Sequence, residues 1–425
     1  MLTQAPRGTR DVLPQESYRW QAIEAIFRDA AARAGYREIR TPVFEHTELF
    51  LRGVGDSTDI VQKEMYTFDD KGGRSLTLKP EGTAGAVRAL IEHSLYAAAL
   101  PVKLYYLCAP IFRYEAPQSG RYREHHQFGC EIFGAPEPTA DAEVIALLYS
   151  ALSRVGLSGL VVSINSIGCP ACRAEYHAAL RAYLQDRLPR LCATCRDRFT
   201  RNPLRILDCK VESCQAELTD APVLLDFLCG DCRTHFGGLQ AALTALAIPF
   251  AINPRIVRGL DYYTRTVFEI GMRAEGGAPL AVCGGGRYDG LVESLGGPAM
   301  PGMGFGLGLE RVLMLLEQKG ITLPEPRLFD VYVAALGADA RLPALSLVQC
   351  LRDAGLRAEM DHAARSLKAQ FKSADKCAAP LVAIVGGDEL ARGVVRLRDM
   401  ATKEEIEVPL CDTVAAIQKR SEPHA

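Results

Sequence analysis

The stretch Gln127-Phe128-Gly129-Cys130-Glu131-Ile132-Phe133 decides the fold. Its period of two sets Gln127, Gly129 and Glu131 on one face and Phe128, Cys130 and Ile132 on the other, the alternation of a strand with one packed face. The apolar face is expected to pack, and the face with an amide and a carboxylate to meet a ligand. Pro110 to Glu115 alternates in the same way, so a hairpin is expected to bring Arg113 beside Gln127 and Glu131; an internal ion pair on a half-exposed sheet is the plain alternative. The link between the two runs is too short for a crossover helix, which makes the pairing antiparallel. Ser75 to Lys79 and Val102 to Leu107 read as further strands.

Working outward, Gly302-Met303-Gly304-Phe305-Gly306-Leu307-Gly308-Leu309-Glu310-Arg311 alternates glycine with apolar residues and then opens a helix. A strand face without side chains is expected to let a flat ligand such as a purine lie on the backbone. Arg311, in the first turn of that helix, is placed for a phosphate. The pattern lacks the Gly-Lys-Ser/Thr of a Walker loop and the spacing of the dinucleotide fingerprint, and a glycine strand can also serve packing alone.

Two arginines stand where a structural protein would put Val or Ile: Arg113 in Phe112-Arg113-Tyr114-Glu115, and Arg258 in Arg258-Gly259-Leu260-Asp261-Tyr262-Tyr263-Thr264. Leaving either guanidinium buried and unpaired costs several kcal/mol, roughly, so an anion is expected to meet them. The loop from Ala116 to His126 interleaves Arg121, Tyr122 and Arg123, a composition suited to nucleic-acid ends as well as to a solvated hairpin tip. Leu78 to Thr83 ends a strand and starts a helix, where capping alone explains Pro80, Glu81 and Thr83.

A chain of 425 residues is expected to hold more than one domain, because single cores rarely grow past ~250 residues. The formal charge of -2 excludes wholesale coating of nucleic acid or membrane, and leaves local patches open. The first residues lack an apolar signal core, and no run of about 18 uncharged apolar residues occurs, so a cytoplasmic protein is expected. Pro14 to Ala34 and Ala140 to Val155 carry helical spacing. After Pro324 and Pro326, strands at Asp330 to Ala335, Ala379 to Val385, Val394 to Arg398 and Glu405 to Pro409 alternate with helices at Ala340 to Ala354 and Ala364 to Lys376. The expected organisation is an α+β domain on a mostly antiparallel sheet (1–163 and 237–325), a cysteine-rich insertion (164–236) and a C-terminal α/β domain (330–425).

The insertion holds eight of the fourteen cysteines. Cys169 and Cys172, Cys192 and Cys195, Cys209 and Cys214, and Cys229 and Cys232 form four close pairs, each spaced for two thiolates to converge on one tetrahedral ion. Two structural zinc sites would consume all eight, with the pairing among them open; redox dithiols and free thiols are the alternatives. Long apolar runs are absent, so the segment is expected to have little core of its own and to need such a staple. From Arg187 to Lys210 it carries seven basic residues against Asp197 and Asp208.

Taken together, Arg7 to Asp11, Leu78 to Thr83, Phe112 to Gly134, Arg258 to Thr264, Gly284 to Leu291 and Gly304 to Arg311 resemble, in order, the signatures of the histidyl-tRNA synthetases, class II aminoacyl-tRNA synthetases. The resemblance implies that ATP with Mg2+ and L-histidine bind on the antiparallel sheet, that histidyl-adenylate forms, and that the histidyl group passes to the 3′ end of tRNA(His). It implies catalytic roles for Arg113 at the α-phosphate, Arg311 at the γ-phosphate and Arg258 at the developing charge, with Arg113, Tyr122 and Arg311 binding ATP. It gives histidine Glu81, Gly82, Thr83, Gln127, Glu131, Tyr262, Tyr263 and Tyr288. His125 stands where the family is expected to offer Phe to adenine. The C-terminal domain resembles an anticodon-binding domain, with Arg365, Lys368 and Lys372 as candidate tRNA contacts beside Arg121 and Arg123, and a homodimer is implied. The competing readings are a non-catalytic paralogue that regulates histidine biosynthesis and a tRNA-binding sensor.

Overall fold

In the computed structural model, the described residues are 3–55, 58–114, 122–207, 209–256, 259–272 and 280–421. Arg258, Arg121 and Glu115 lie outside the described residues. The chain divides into two units, Met1–Leu323 and Pro324–Ala425.

The strands of the first unit, in chain order, are β1 (Arg37–Glu38), β2 (Phe44–His46), β3 (Tyr66–Asp69), β4 (Ser75–Leu78), β5 (Val102–Phe112), β6 (Glu124–Phe133), β7 (Leu160–Ser166), β8 (Phe250–Ile252), β9 (Thr264–Met272), β10 (Leu280–Arg287) and β11 (Gly302–Gly308). Eight of them form one sheet in the order β1-β5-β6-β11-β10-β9-β7-β8. Only its two edge pairings, β1 with β5 and β7 with β8, are parallel. The others form a small sheet, β2-β4-β3.

The alternation of β6 sorts its side chains as the sequence predicts. Phe128 and Cys130 are fully buried beneath the helix Pro14–Arg33, whose Trp20, Ile23 and Phe27 recur at helical spacing. Phe27 stacks on Phe128 with ring centroids 4.9 Å apart, and Phe128 meets Phe305 of β11 edge-on at 5.4 Å. Each such side chain contributes roughly 1.5–3 kcal/mol by leaving water, which fastens this face and frees the other for polar residues.

A buried polar knot locks the far end of the sheet. Arg287, the last residue of β10, is fully buried and binds the equally buried Asp141 of the helix Pro138–Arg154. His235 Nε2 meets the same carboxylate at 2.8 Å. Burial alone would push the Asp141 carboxyl up, but the His235 contact and the Arg287 charge hold it below its ordinary range. The knot fixes the backbone at Arg287 and so aims its neighbour, Tyr288.

The cysteine-rich segment differs from expectation in two ways. Ser166 closes a strand of the main sheet and the helix Gly230–Ala245 runs past position 236, so the segment leaves and re-enters the sheet through continuous elements. It also has a real apolar core, in which Tyr176, Leu180, Leu184, Leu191, Leu204, Ile206 and Leu224 are buried. These residues are spaced along short helices rather than gathered in runs, which hid them.

The second unit carries β12 (Val331–Leu336), β13 (Ala358–Met360), β14 (Leu381–Gly386), β15 (Val394–Asp399) and β16 (Glu405–Pro409), ordered β13-β12-β14-β15-β16. Buried Gln370, on the helix Leu367–Lys376, bonds both the N–H and the carbonyl of Ala335 at 3.0 and 2.8 Å and pins that helix to β12. Among the described residues no helix is long and apolar enough to cross a membrane.

Candidate active site

A cavity of about 440 Å³ opens on the polar face of the large sheet, lined by Arg113, Tyr122, His125, Gln127, Gly306, Gly308 and Arg311 among others. Both arginines are anchored on backbone: Arg113 Nε donates to Pro80 O at 2.7 Å, and Arg311 Nη1 to Ala281 O at 2.7 Å. A guanidinium anchored on backbone has its plane fixed, and such a planar fork matches phosphate geometry. Next to Arg311, Glu310 accepts from His126 N at 2.8 Å and meets its Nδ1 at 3.0 Å, which raises the His126 imidazole above its ordinary pKa. His125 behaves oppositely. Burial, reinforced by Arg113, His126 and Arg311, lowers its pKa to about 3, so its ring is neutral.

Deeper along β6 lies Glu131, fully buried. It accepts hydroxyl hydrogen bonds from Thr83 at 2.7 Å, from Tyr106 at 3.1 Å and from Tyr288. Burial raises its pKa to about 8 against the help of those donors. The Tyr262 ring meets Tyr288 edge-on at 5.6 Å and Tyr263 at 4.7 Å. Between Glu131 and the open cavity, on the same strand face, Gln127 holds a buried Oε1 without a hydrogen-bond partner among the described residues. Glu81, four-hundredths exposed, turns both oxygens to the start of the helix Thr83–Glu92, accepting from Thr83 N at 2.8 Å and Ala84 N at 2.6 Å. Capping therefore absorbs Glu81, and burial raises its pKa.

The glycines of β11 do something other than expected. A Cβ on Gly302 would stand 2.3 Å from the Tyr288 ring, one on Gly304 1.8 Å from Glu131 Oε2, and one on Gly306 2.4 Å from Gln127 Nε2. The first two glycines make room for the protein's own polar side chains rather than for a purine. Only toward Gly306 and Gly308 does the strand line the open cavity.

The hairpin also departs from simple alternation. The β5–β6 register shifts between Tyr106 and Ala109, after which Ile111 faces His125 and Arg113 N bonds Arg123 O at 2.8 Å. Arg113 thus shares the cavity with Gln127, while Glu131 lies opposite Leu104, well down the strand. Ile111, which the alternation along Pro110 to Glu115 would place on one face with Arg113, is fully buried. Arg123 lays its guanidinium 4.2 Å from the Tyr114 ring centroid. In the second unit, Arg365 pairs with buried Asp361, whereas Lys368 and Lys372 line a shallow groove with Phe371 and Arg398.

Sequence reading missed Tyr106. Its ring fills the space over Gly82 and Gly129, where a Cβ would come within 2.4 and 2.3 Å. An aromatic in β5 opposite a glycine in β6 was the available signal.

The eight cysteines gather into two sets of four, Cys169 with Cys172, Cys229 and Cys232, and Cys192 with Cys195, Cys209 and Cys214; within each set the sulfurs lie within 4.8 Å of one another. All are free thiols. Cys169 and Cys172 are 3.6 Å apart, Cys192 and Cys209 3.9 Å. A tetrahedron of Zn–S bonds has an edge of ~3.8 Å, so the spacing fits a zinc ion and is far too long for a disulfide. Cys169 and Cys192 stand just before helices, and N–H donation from Cys172 and Cys195 respectively lowers each to about 7.

A mostly antiparallel sheet that anchors two arginines at a cavity beside a buried acid–tyrosine cluster, in a chain that also carries a mixed α/β unit, is the arrangement expected of a class II aminoacyl-tRNA synthetase, and the comparisons with known proteins show that class. The histidyl-tRNA synthetase family profile matches residues 8–312, and that of the anticodon binding domain matches 330–420. The chain is 55% identical over 418 residues to the histidine–tRNA ligase of Caldanaerobacter subterraneus subsp. tengcongensis, covering 98% of this chain and 100% of that one. It is 56% identical over 412 residues to that of Alkaliphilus oremlandii, covering 97% of each. The apo crystal structure of S. aureus histidyl-tRNA synthetase superposes with a TM-score of 0.84 at 38% identity, covering 98% of this chain and 99% of that one. The chain belongs to the histidyl-tRNA synthetase family.

Proposed function

We propose that this enzyme activates L-histidine with ATP to histidyl-adenylate and transfers the histidyl group to the 3′ end of tRNA(His). The observation that carries this reading is the continuity, along one face of β6, between the arginine-lined cavity and the Glu131 cluster. ATP occupies the cavity, with Arg113 on the α-phosphate, Arg311 on the γ-phosphate, and Tyr122 and the neutral ring of His125 against adenine. Arg258 is assigned to the charge that develops as the histidine carboxylate attacks the α-phosphate; its neighbour Gly259 lines the same cavity.

Histidine lies toward Glu131, Tyr262, Tyr263 and Tyr288, with Gln127 Oε1 accepting from it at the junction. An imidazole N–H reaches Glu131 when one of the three hydroxyls gives way, so a ligand that cannot donate there leaves the carboxyl no new partner. Glu269 and Glu310 line the ATP cavity and carry hard oxygen atoms of the kind that fit Mg2+. When bound with ATP, the ion offsets negative charge on the phosphates.

Zinc in both four-cysteine sets is assigned a structural role. Lys368 and Lys372, with Arg365 held by Asp361, are assigned to the anticodon arm, and Arg123 to the acceptor end. We place the enzyme in the cytoplasm as a homodimer; fourteen free cysteines accord with a reducing compartment. The paralogue and sensor readings lose support because the near full-length relatives are named as ligases. Histidine-dependent exchange of pyrophosphate into ATP, followed by tRNA charging with each of the twenty amino acids, tests the proposal: charging by histidine alone is expected, and absence of exchange would refute it.

A further inference from the structure

The cysteine-rich segment reaches the nucleotide cavity through Arg205, on the short turn Pro203–Ile206 that precedes Cys209. Its Nη2 donates to Asp59 Oδ2 at 3.2 Å, while its Nη1 is buried with no hydrogen-bond partner among the described residues. That Nη1 lies 3.5 Å from where a Cβ on Gly259 would stand, beside the segment assigned to the reacting phosphate. A buried guanidinium N–H left unsatisfied is costly, and cavity-lining donors of this kind await an acceptor.

The turn is held from behind. Arg198 Nη1 donates to Arg205 O at 3.1 Å, and its Nη2 reaches Asp59 Oδ2 at 2.9 Å. Asn202 Nδ2 donates to Asp261 Oδ1 at 2.9 Å. Cys195 and Cys209, on either side of the turn, belong to one four-cysteine set. Asp59 faces Lys63 as well as the two arginines, so a single carboxylate is shared by three cations and the site stays receptive to an anion. We infer that Arg205 binds a phosphate of ATP, and that the insertion therefore completes the adenylation site. The inference rests on the adenylation reading above; it favours ATP over the tRNA backbone because Arg205 opens into the same cavity as Arg113 and Arg311.

The test is histidine-dependent pyrophosphate exchange on the full-length protein, with ATP and histidine varied separately. Arg205→Ala is expected to raise the KM for ATP about tenfold or more and to leave that for histidine within about twofold, with Arg205→Lys recovering part of the loss. Since Arg205 also pairs with Asp59, thermal unfolding separates binding from architecture: histidine should still raise the Tm of Arg205→Ala, while ATP no longer does. An ATP KM within about twofold of wild type overturns the inference. So does a defect confined to transfer from preformed histidyl-adenylate to tRNA, or loss of both ligand-induced shifts together. Wild-type protein without histidine-dependent exchange would instead overturn the adenylation reading itself.

Discussion

Glu131 concentrates the chemistry of the site in one carboxyl. Burial raises its pKa from 4.5 to about 8, so in the folded protein it stays protonated through neutral pH. Because the folded state then holds a proton that the unfolded chain releases above 4.5, its contribution to stability is fully present below that value and is lost as pH rises toward about 8. Glu131→Gln removes this titration. The variant should lose less Tm than wild type between pH 6 and pH 8.5, and an equal loss in both would show that Glu131 does not titrate there. The same variant should raise the KM for histidine far more than that for ATP, since Arg113 and Arg311 hang from backbone carbonyls that the change does not touch. Alternation in one strand made the shared polar face of Gln127 and Glu131 legible. Tyr106 was hidden because an aromatic in a buried strand reads as core, and its role shows through its bond to Glu131 and the glycines that face it.

At the scale of elements, β11 shows how a glycine pattern can be legible while its purpose is not. Gly304→Ala sets a methyl within 1.8 Å of Glu131 Oε2 and 2.6 Å of Cys130 O, so strand or carboxylate must move. Overpacking of this sort costs about 1–3 kcal/mol, a Tm drop of several degrees, roughly. Histidine KM should rise with it. Gly237→Ala, in the helix Gly230–Ala245 with nothing within 4 Å of the new methyl, should instead be neutral or slightly stabilising. Retained histidine affinity in Gly304→Ala would remove β11 from the amino-acid site. The cysteine spacing likewise revealed knuckles but not their partners, because which pairs converge is decided by the helices that carry them. Protein purified without a metal-affinity tag is expected to hold about two equivalents of zinc, and chelation to lower its Tm. Elemental analysis giving less than about half an equivalent, with the eight thiols titrating freely, would exclude both sites. The strands β8 and β13, three residues each, were unreadable because so short a segment shows no period.

At the scale of the whole molecule, the division at Leu323 was visible in the sequence as a proline-rich link followed by a change from glycine-rich antiparallel strands to alternating strands and helices. The function of the second unit was less so. From Asp330 onward it holds 13 basic and 14 acidic residues, so no overall charge attracts RNA, and any grip must come from placement. We propose as that place the groove lined by Lys368, Lys372, Lys403, Phe371 and Met400. Each unit has its own buried cluster, the second built on Val331, Val333, Leu347, Leu351, Ala383 and Val385. A chain ending at Leu323 keeps every residue assigned here to ATP and histidine, and its pyrophosphate exchange should stay near that of the full chain. Charging should not. A tRNA held at two sites loses the gain of joint binding when one is removed, about 10²-fold or more in apparent affinity. Charging by the truncated chain should therefore fall at limiting tRNA and recover as tRNA is raised, measured side by side with exchange. A truncation that charged tRNA(His) at the full rate at limiting tRNA would remove the second unit from recognition, and one that lost exchange in proportion would show that it supports the catalytic fold instead.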